Sequence, residues 1–208
     1  MKRLKEPTEI CKICFKEYYR NSLRTIFLND HICYSCYKKF NPVFINHKIE
    51  GIKVTSIYYY DEDIKTFLYQ LKGCYDIELA SVFLANFKYL LKIRYFNYYI
   101  VPIPSYHLED EQREFNHVEE IFKCLNLPML KILYKSEKYK QSNQKAKDRH
   151  LISNFLKVSD LEKVKNKRIL LVDDVITTGS TLKAAIALLK KGNPKCIRIL
   201  TLAMTKEH

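Results

Sequence analysis

Glycine is scarce in this 208-residue chain, with four in all, so a glycine at a turn stands out as a backbone requirement. Nowhere do eighteen apolar residues run together, so the sequence offers no transmembrane helix of ordinary length. The opening Met1-Lys-Arg-Leu-Lys-Glu-Pro7 has no apolar core behind it and does not read as a secretory leader. Internal repeats and low-complexity segments are not evident, which excludes a solenoid or a disordered array. Acidic residues are the minority, 23 against 36 Lys and Arg, for a formal charge of +13.

What is present is ample for a core. The composition is 47% apolar and 13% aromatic, enough for one α/β domain with a small appendage. Seven cysteines without a leader fit a reducing compartment. The expectation is therefore a soluble cytoplasmic protein, with any association at the inner face of the membrane made through partners.

The most informative stretch is Ile169-Leu-Leu-Val-Asp-Asp-Val-Ile-Thr-Thr-Gly-Ser-Thr-Leu182. Ile169 to Val172 is a continuous apolar run, as a parallel strand covered on both faces requires. Asp173 and Asp174 are placed at the end of that strand. A small, hydroxyl-rich turn follows, Thr177-Thr-Gly-Ser-Thr181, and then an amphipathic helix from Leu182 to Lys191, stopped by Gly192, Asn193 and Pro194. Cys196 to Met204 reads as the returning strand of a βαβ unit. Ligands of open α/β sheets bind at the carboxyl ends of the strands, where this turn lies.

Each residue type has a physical job there. Free N–H groups at a helix N-terminus, with the positive end of the dipole behind them, suit a phosphate. Gly179 lets the backbone approach the anion, and the Thr and Ser hydroxyls donate further bonds. Ionised carboxylates only accept, so Asp173 and Asp174 suit the two hydroxyls of a ribose or a divalent cation. Either half alone reads as an ordinary capped helix or a turn; the order and context together read as a ligand site.

The other dense signal is Cys11-Lys-Ile-Cys14 and Cys33-Tyr-Ser-Cys36, two C-x₂-C pairs eighteen residues apart. That is the spacing of a zinc ribbon, in which four thiolates close a structural tetrahedral site with no open position for catalysis. Cys74, Cys124 and Cys196 read as packed thiols.

The expected organisation is a metal segment over residues 1–45 and an α/β domain over 46–208. In the second, strands are predicted at Ile52 to Tyr60, Tyr98 to Ile103 and Met129 to Tyr134. Helices are predicted at Glu62 to Lys72, Ile77 to Ile93 and Glu114 to Cys124. This alternation predicts an α/β fold, a mostly parallel sheet with helices on both faces. His107 and His117 read as surface or helix-face residues, with no carboxylate placed beside either. The polar run from Lys135 to Arg149 reads as a solvated loop or a lid.

Charge is concentrated at the two ends. Residues 1–50 hold ten basic and five acidic side chains and residues 151–208 eleven and five. Basic surfaces attract nucleic acid by phosphate neutralisation. Tyr18, Tyr19, Tyr34 and Tyr37 lie among Lys16, Arg20, Arg24, Lys38 and Lys39, an arrangement suited to stacking on unpaired bases, although Lys and Tyr are abundant along the whole chain.

Val172-Asp-Asp-Val-Ile-Thr-Thr-Gly-Ser-Thr181 resembles the phosphoribosyl pyrophosphate signature of type I phosphoribosyltransferases. The resemblance implies that Asp173 and Asp174 bind the ribose hydroxyls, and that Thr177, Thr178, Gly179, Ser180 and Thr181 hold the 5′-phosphate, with Mg²⁺ accompanying the ligand. A Cys₄ ribbon ahead of such a domain resembles the competence protein F (ComF or ComFC) family. Tyr60 with Leu71-Lys72-Gly73, Val101-Pro-Ile-Pro104, and Gln141-Ser142 followed by Arg149, Asn154 and Phe155 match further motifs of that family. The resemblance implies a protein of DNA uptake in natural transformation, which binds phosphoribosyl pyrophosphate and single-stranded DNA and works with a DNA translocase or helicase. It also implies a pyrophosphate-side role for the Val101 to Pro104 loop and for Lys140, Gln141 and Arg149. One run departs: where the family carries Arg-Gly-Phe-Asn-Gln, this chain has Arg113-Glu-Phe-Asn-His117. The alternative reading is an active phosphoribosyltransferase of nucleobase salvage, although no base-recognition segment is recognisable.

Overall fold

The computed structural model describes residues 8–19, 31–105, 114–135 and 156–206. Strands β1 (Thr8–Ile10) and β2 (Glu17–Tyr19) form a small antiparallel ribbon, and helix α1 (Tyr34–Tyr37) follows. The main domain runs β3 (Ile45–Ile49), β4 (Ile52–Tyr59), α2 (Glu62–Gly73), α3 (Ala80–Phe83), α4 (Lys88–Arg94), β5 (Tyr98–Pro102) and α5 (His117–Lys123). It continues through the short pair β6 (Leu133–Lys135) and β7 (Leu156–Val158) to β8 (Arg168–Ile176), α6 (Ser180–Lys190) and β9 (Cys196–Met204).

The five-stranded sheet has the order β3-β4-β9-β8-β5, with β4, β9, β8 and β5 parallel and β3 antiparallel at one edge. Alternation along the central strands divides the core in two. Leu170, Val172, Leu200 and Leu202 pack on one face with α2, α3, α4 and α5. Ile169, Leu171 and Ile199 pack on the other with Leu182, Ala185, Ile186 and Leu189 of α6. Helices therefore cover both faces, as predicted. Between the faces, Ser56 and Thr201 satisfy one another at 2.7 Å across β4 and β9.

Several elements differ from expectation. β3 precedes the strand predicted as first; Ile45, His47 and Ile49 alternate with polar neighbours, and a two-residue turn at Glu50 (φ 50°) and Gly51 (φ 76°) joins β3 to β4. The helix predicted over Ile77 to Ile93 breaks into a 3₁₀ turn at Ile77–Leu79, α3 and α4. Val82, Phe83, Leu84 and Ala85 are all buried, so contact on every side replaces the single stripe that would keep one helix straight. Only Leu133 and Tyr134 of the predicted Met129 to Tyr134 strand join a ladder, as part of β6, although Met129 bridges Ile100 at the outer edge of β5. Cys74 is exposed rather than packed, while Cys124 and Cys196 are half-buried.

The cysteine segment is not a free appendage. Phe40 stacks on Phe67 of α2 at 4.9 Å and meets Phe83 edge-on at 6.0 Å. Cys11, Ile13, Ile32 and Cys36 belong to the same buried cluster as the α2 and α3 residues. Lys39–Asp63 and Lys12–Glu78 add exposed ion pairs at 2.8 and 2.7 Å, each worth little by itself.

Candidate functional site

β8 carries the two acids and runs on to Ile176, so Asp173 and Asp174 lie inside the strand rather than at its end. They are not equivalent. Asp174 leans to the face that carries α2 and α5: its Oδ2 accepts from the Lys72 ammonium and is 3.0 Å from His117 Nε2. The other ring nitrogen of His117 is 3.2 Å from Ser105 Oγ, which in turn accepts from Asn116 at 3.2 Å. Asn116 caps α5 through Glu119 N–H at 3.0 Å, so helix start and site are fixed by the same residue.

Asp173 accepts from the Asp174 amide at 2.9 Å and has no ion-pair partner among the described residues. Burial pushes its carboxyl up to about 7, opposed in part by Lys72 and Lys135. A half-buried carboxylate with a desolvation cost and no paired cation is suited to accept a hydroxyl or meet a divalent ion. Asp174 is already engaged.

His117 thus corrects the sequence reading: it is buried and bound to an acid. The signal lay in the departure itself, because His117 stands where the family carries glutamine. The second departing residue, Glu114, sits at φ 62°, the left-handed region that glycine prefers, so this chain retains the turn without the residue that suits it. Phe115 packs against the core behind it.

The predicted phosphate turn stands at the N-terminus of α6. Gly179 is its N-cap at φ 70°, and a Cβ added there would approach Ile49 Cδ1 to 3.2 Å. Thr178 Oγ1 lies 3.1 Å from Ser180 Oγ and 3.4 Å from its amide. Thr177 and Thr178 are exposed, Ser180 and Thr181 half-buried. Thr177, Thr178 and Gly179 border a cavity of about 680 Å³ that Lys48, Lys183 and Lys206 also line, three cations outside the motif. A second cavity of about 550 Å³ opens beside Lys72 and His117 and is lined by Tyr60, Leu68, Tyr69 and Tyr75. Gly179→Ala is expected to cost about 1–2 kcal/mol from the left-handed backbone alone, read by urea unfolding, with Gly179→Asn costing less.

At the ribbon, the thiol sulfurs of Cys11, Cys14, Cys33 and Cys36 all lie within 4.8 Å of one another, and Cys14 to Cys33 is 3.8 Å. A Zn–S bond of ~2.3 Å implies tetrahedron edges of about 3.8 Å, so the four thiols fit that metal. Burial raises the Cys33 and Cys36 thiols. At Cys11 burial also pulls upward, but backbone hydrogen bonds at Cys14, Cys33 and Ile13 outweigh it and leave the thiol at about 7. A bound cation would reverse the upward shifts by favouring thiolates.

Val101-Pro-Ile-Pro104 closes β5: Val101, Pro102 and Ile103 are buried and Ile103 N–H bonds to Val172 O at 2.9 Å. Arg113, His107, Lys140, Gln141, Ser142, Arg149, Asn154 and Phe155, with Arg20 and Arg24 of the ribbon, lie outside the described residues. Among the described residues no helix is long and apolar enough to cross a membrane.

The sheet is open and mostly parallel, with paired acids on a central strand and a left-handed glycine turn at the head of the helix that follows. Residues 115–208 accordingly match the phosphoribosyl transferase domain. Along 93% of its length the chain is 26% identical to competence protein ComFC of Bacillus subtilis, covering 94% of that protein. It is 36% identical to competence protein F of Haemophilus influenzae over 50% of this chain and 49% of that one. It is 29% identical to competence protein ComFC of Streptococcus pneumoniae over 73% and 68%. Along nearly its whole length the chain is thus similar to a competence protein ComFC.

Proposed function

We propose that this protein serves DNA uptake in natural transformation, binding phosphoribosyl pyrophosphate through Asp173, Asp174 and residues 177–181. The observation that carries the reading is the left-handed Gly179 turn at the head of an eleven-residue helix, bordered by three lysines and preceded by two acids. Helix amides and lysines supply positive potential for the 5′-phosphate. Asp173 supplies an acceptor for a ribose hydroxyl, and Asp174 becomes one when Lys72 or His117 yields. Mg²⁺ would neutralise the pyrophosphate charge. The four cysteines hold structural zinc.

Handling of single-stranded DNA, together with a translocase of the uptake machinery, completes the reading. It is supported by the charge of +13 and by exposed Tyr19 and Tyr34 in the ribbon. A catalytic version is favoured by the 550 Å³ tyrosine-lined cavity beside Lys72, which is large enough for a flat acceptor ring. An acceptor atom would then bond to ribose C1 as the C1–oxygen bond to pyrophosphate breaks. The pyrophosphate leaves with the electron pair and the acceptor's proton passes to solvent.

Titration calorimetry with phosphoribosyl pyrophosphate and Mg²⁺ tests the reading, alongside a screen for pyrophosphate release across nucleobases. Binding that is lost in Asp173→Asn/Asp174→Asn with zinc retained is the expected result. Unchanged affinity in that variant removes both residues from the site. Release of pyrophosphate with any base establishes the transferase, and binding without release favours a ligand-binding module.

A further inference from the structure

The amino ends of the parallel strands carry a second feature, which the phosphate turn does not use. Lys48 of β3 faces Lys53 of β4 directly across the antiparallel ladder. Val54 pairs Ile199, so Lys53 and Arg198 of β9 are neighbours one step earlier in the adjoining ladder. Arg198 is level with Leu170 of β8, two residues beyond Arg168. Alternation places Lys53, Arg198 and Arg168 on the face that carries Leu170 and Leu200. Arg94, at the last turn of α4, closes the row from above.

Like charges set opposite one another across a sheet are destabilising. Here four cations, Lys48, Lys53, Arg94 and Arg198, line one cavity of about 600 Å³, and no acidic side chain is among its lining residues. None of the four has an ion-pair partner among the described residues. Glu50, the acid nearest in sequence, lines the phosphate-turn cavity instead. At ~4.8 Å between strands, the row from β3 to β8 spans about 14 Å. That is the footprint of several linked phosphates rather than of one.

Aromatic surface borders the same place. Tyr98 lines the cavity, with Arg168 over its ring at 5.9 Å, and Phe96, two residues before it, is 67% exposed. Cations along a groove with an exposed ring beside it are the pattern that binds unpaired nucleic acid by backbone charge and base stacking. His47 and Lys48 border both this cavity and the phosphate-turn cavity, so the edge strand β3 joins the two.

We infer that the cation row Lys48–Lys53–Arg198, with Arg94, is the track for the phosphodiester backbone of single-stranded nucleic acid. The inference rests on the reading of this protein as a single-strand handler and names the face that does it.

The test is fluorescence anisotropy of a labelled oligothymidine against salt, for the full chain and for Lys53→Gln/Arg94→Gln/Arg198→Gln, which spares Lys48 because it also lines the phosphate-turn cavity. Each phosphate contact contributes ~0.7 to the salt slope, so three lost contacts are expected to flatten it by about two. Affinity at about 50 mM salt should fall on the order of 100-fold. Calorimetric affinity for phosphoribosyl pyrophosphate should change less than about 3-fold. Lys53→Gln/Arg94→Gln, which leaves half-buried Arg198 in place, guards against misfolding and should flatten the slope by about 1.4. Binding by the native chain with an unaltered slope in both variants overturns the assignment of the face while leaving single-strand handling intact. Loss of binding on Tyr19→Ala/Tyr34→Ala, but not on the row variants, moves the face to the ribbon and overturns it too. A native chain that binds poly-glutamate through the row but no oligonucleotide overturns both this inference and the reading beneath it.

Discussion

Asp173→Asn is expected to raise the melting temperature near about pH 8 and to abolish phosphoribosyl pyrophosphate binding in the same protein. The sign follows from the carboxyl group's displacement from its ordinary 3.8 to about 7 in the folded chain. Between those values the folded state holds a proton that the unfolded state has released, so stability falls as pH rises through the interval. Above about 7 the loss is complete. Three pK units correspond to about 4 kcal/mol, and partial solvent access at a half-buried group reduces that to about 2. For a chain of this size the gain is about 5 °C. Asparagine removes the ionisation and with it the loss, so wild type and variant should melt together near about pH 4 and separate toward pH 8. A melting difference that does not vary with pH would reject the buried-acid account, whatever happened to binding.

The second large effect is at the ribbon. Cys33→Ser is expected to release the metal and to lower the stability of the main domain, not of the ribbon alone. Structural zinc contributes on the order of 10 kcal/mol to the folding of small segments, since the site does not exist in the unfolded chain. Because Cys11, Ile13, Ile32, Cys36 and Phe40 share a cluster with Phe67 and Phe83, losing the metal loosens the packing of α2 and α3 as well. One unfolding transition, shifted downward, is the expected thermal profile, with metal content falling from one atom per chain to none. Retention of one zinc would argue against a four-thiolate site. Two separated transitions would show that the aromatic contacts do not transmit the loss.

The βαβ unit was legible because its residues answer to local rules. Ile169 to Val172 can only be buried on both sides, Gly179 is one of few glycines, and Gly192-Asn-Pro194 stops a helix wherever it stands. The cysteine spacing was legible for the same reason. What escaped the sequence was long-range. His117 and Asp174 are 57 residues apart, and their contact depends on how α5 leans against β8. Lys48 of β3, Lys183 of α6 and Lys206, two residues past β9, are gathered only by the folded sheet. β3 escaped differently: its alternation and its Glu50-Gly51 turn are in the sequence, but the strand begins at the boundary expected between residues 45 and 46. The break after Phe83 left no local mark, because helical spacing of apolar residues continues through it.

The bridge from Met129 to Ile100 bears on how this molecule can meet others. Ile100 N–H bonds to Pro128 O at 2.8 Å and Leu130 N–H to Ile100 O at 2.7 Å, so the rim of the sheet beyond β5 is already stitched to its own chain. At the opposite rim, β3 presents His47 and Lys48, and charge there discourages a foreign strand from zipping on. Neither border invites another backbone to extend the sheet. Whatever this protein docks against must be recognised through side chains and shape, and crowding it at high concentration should not seed fibres from these margins.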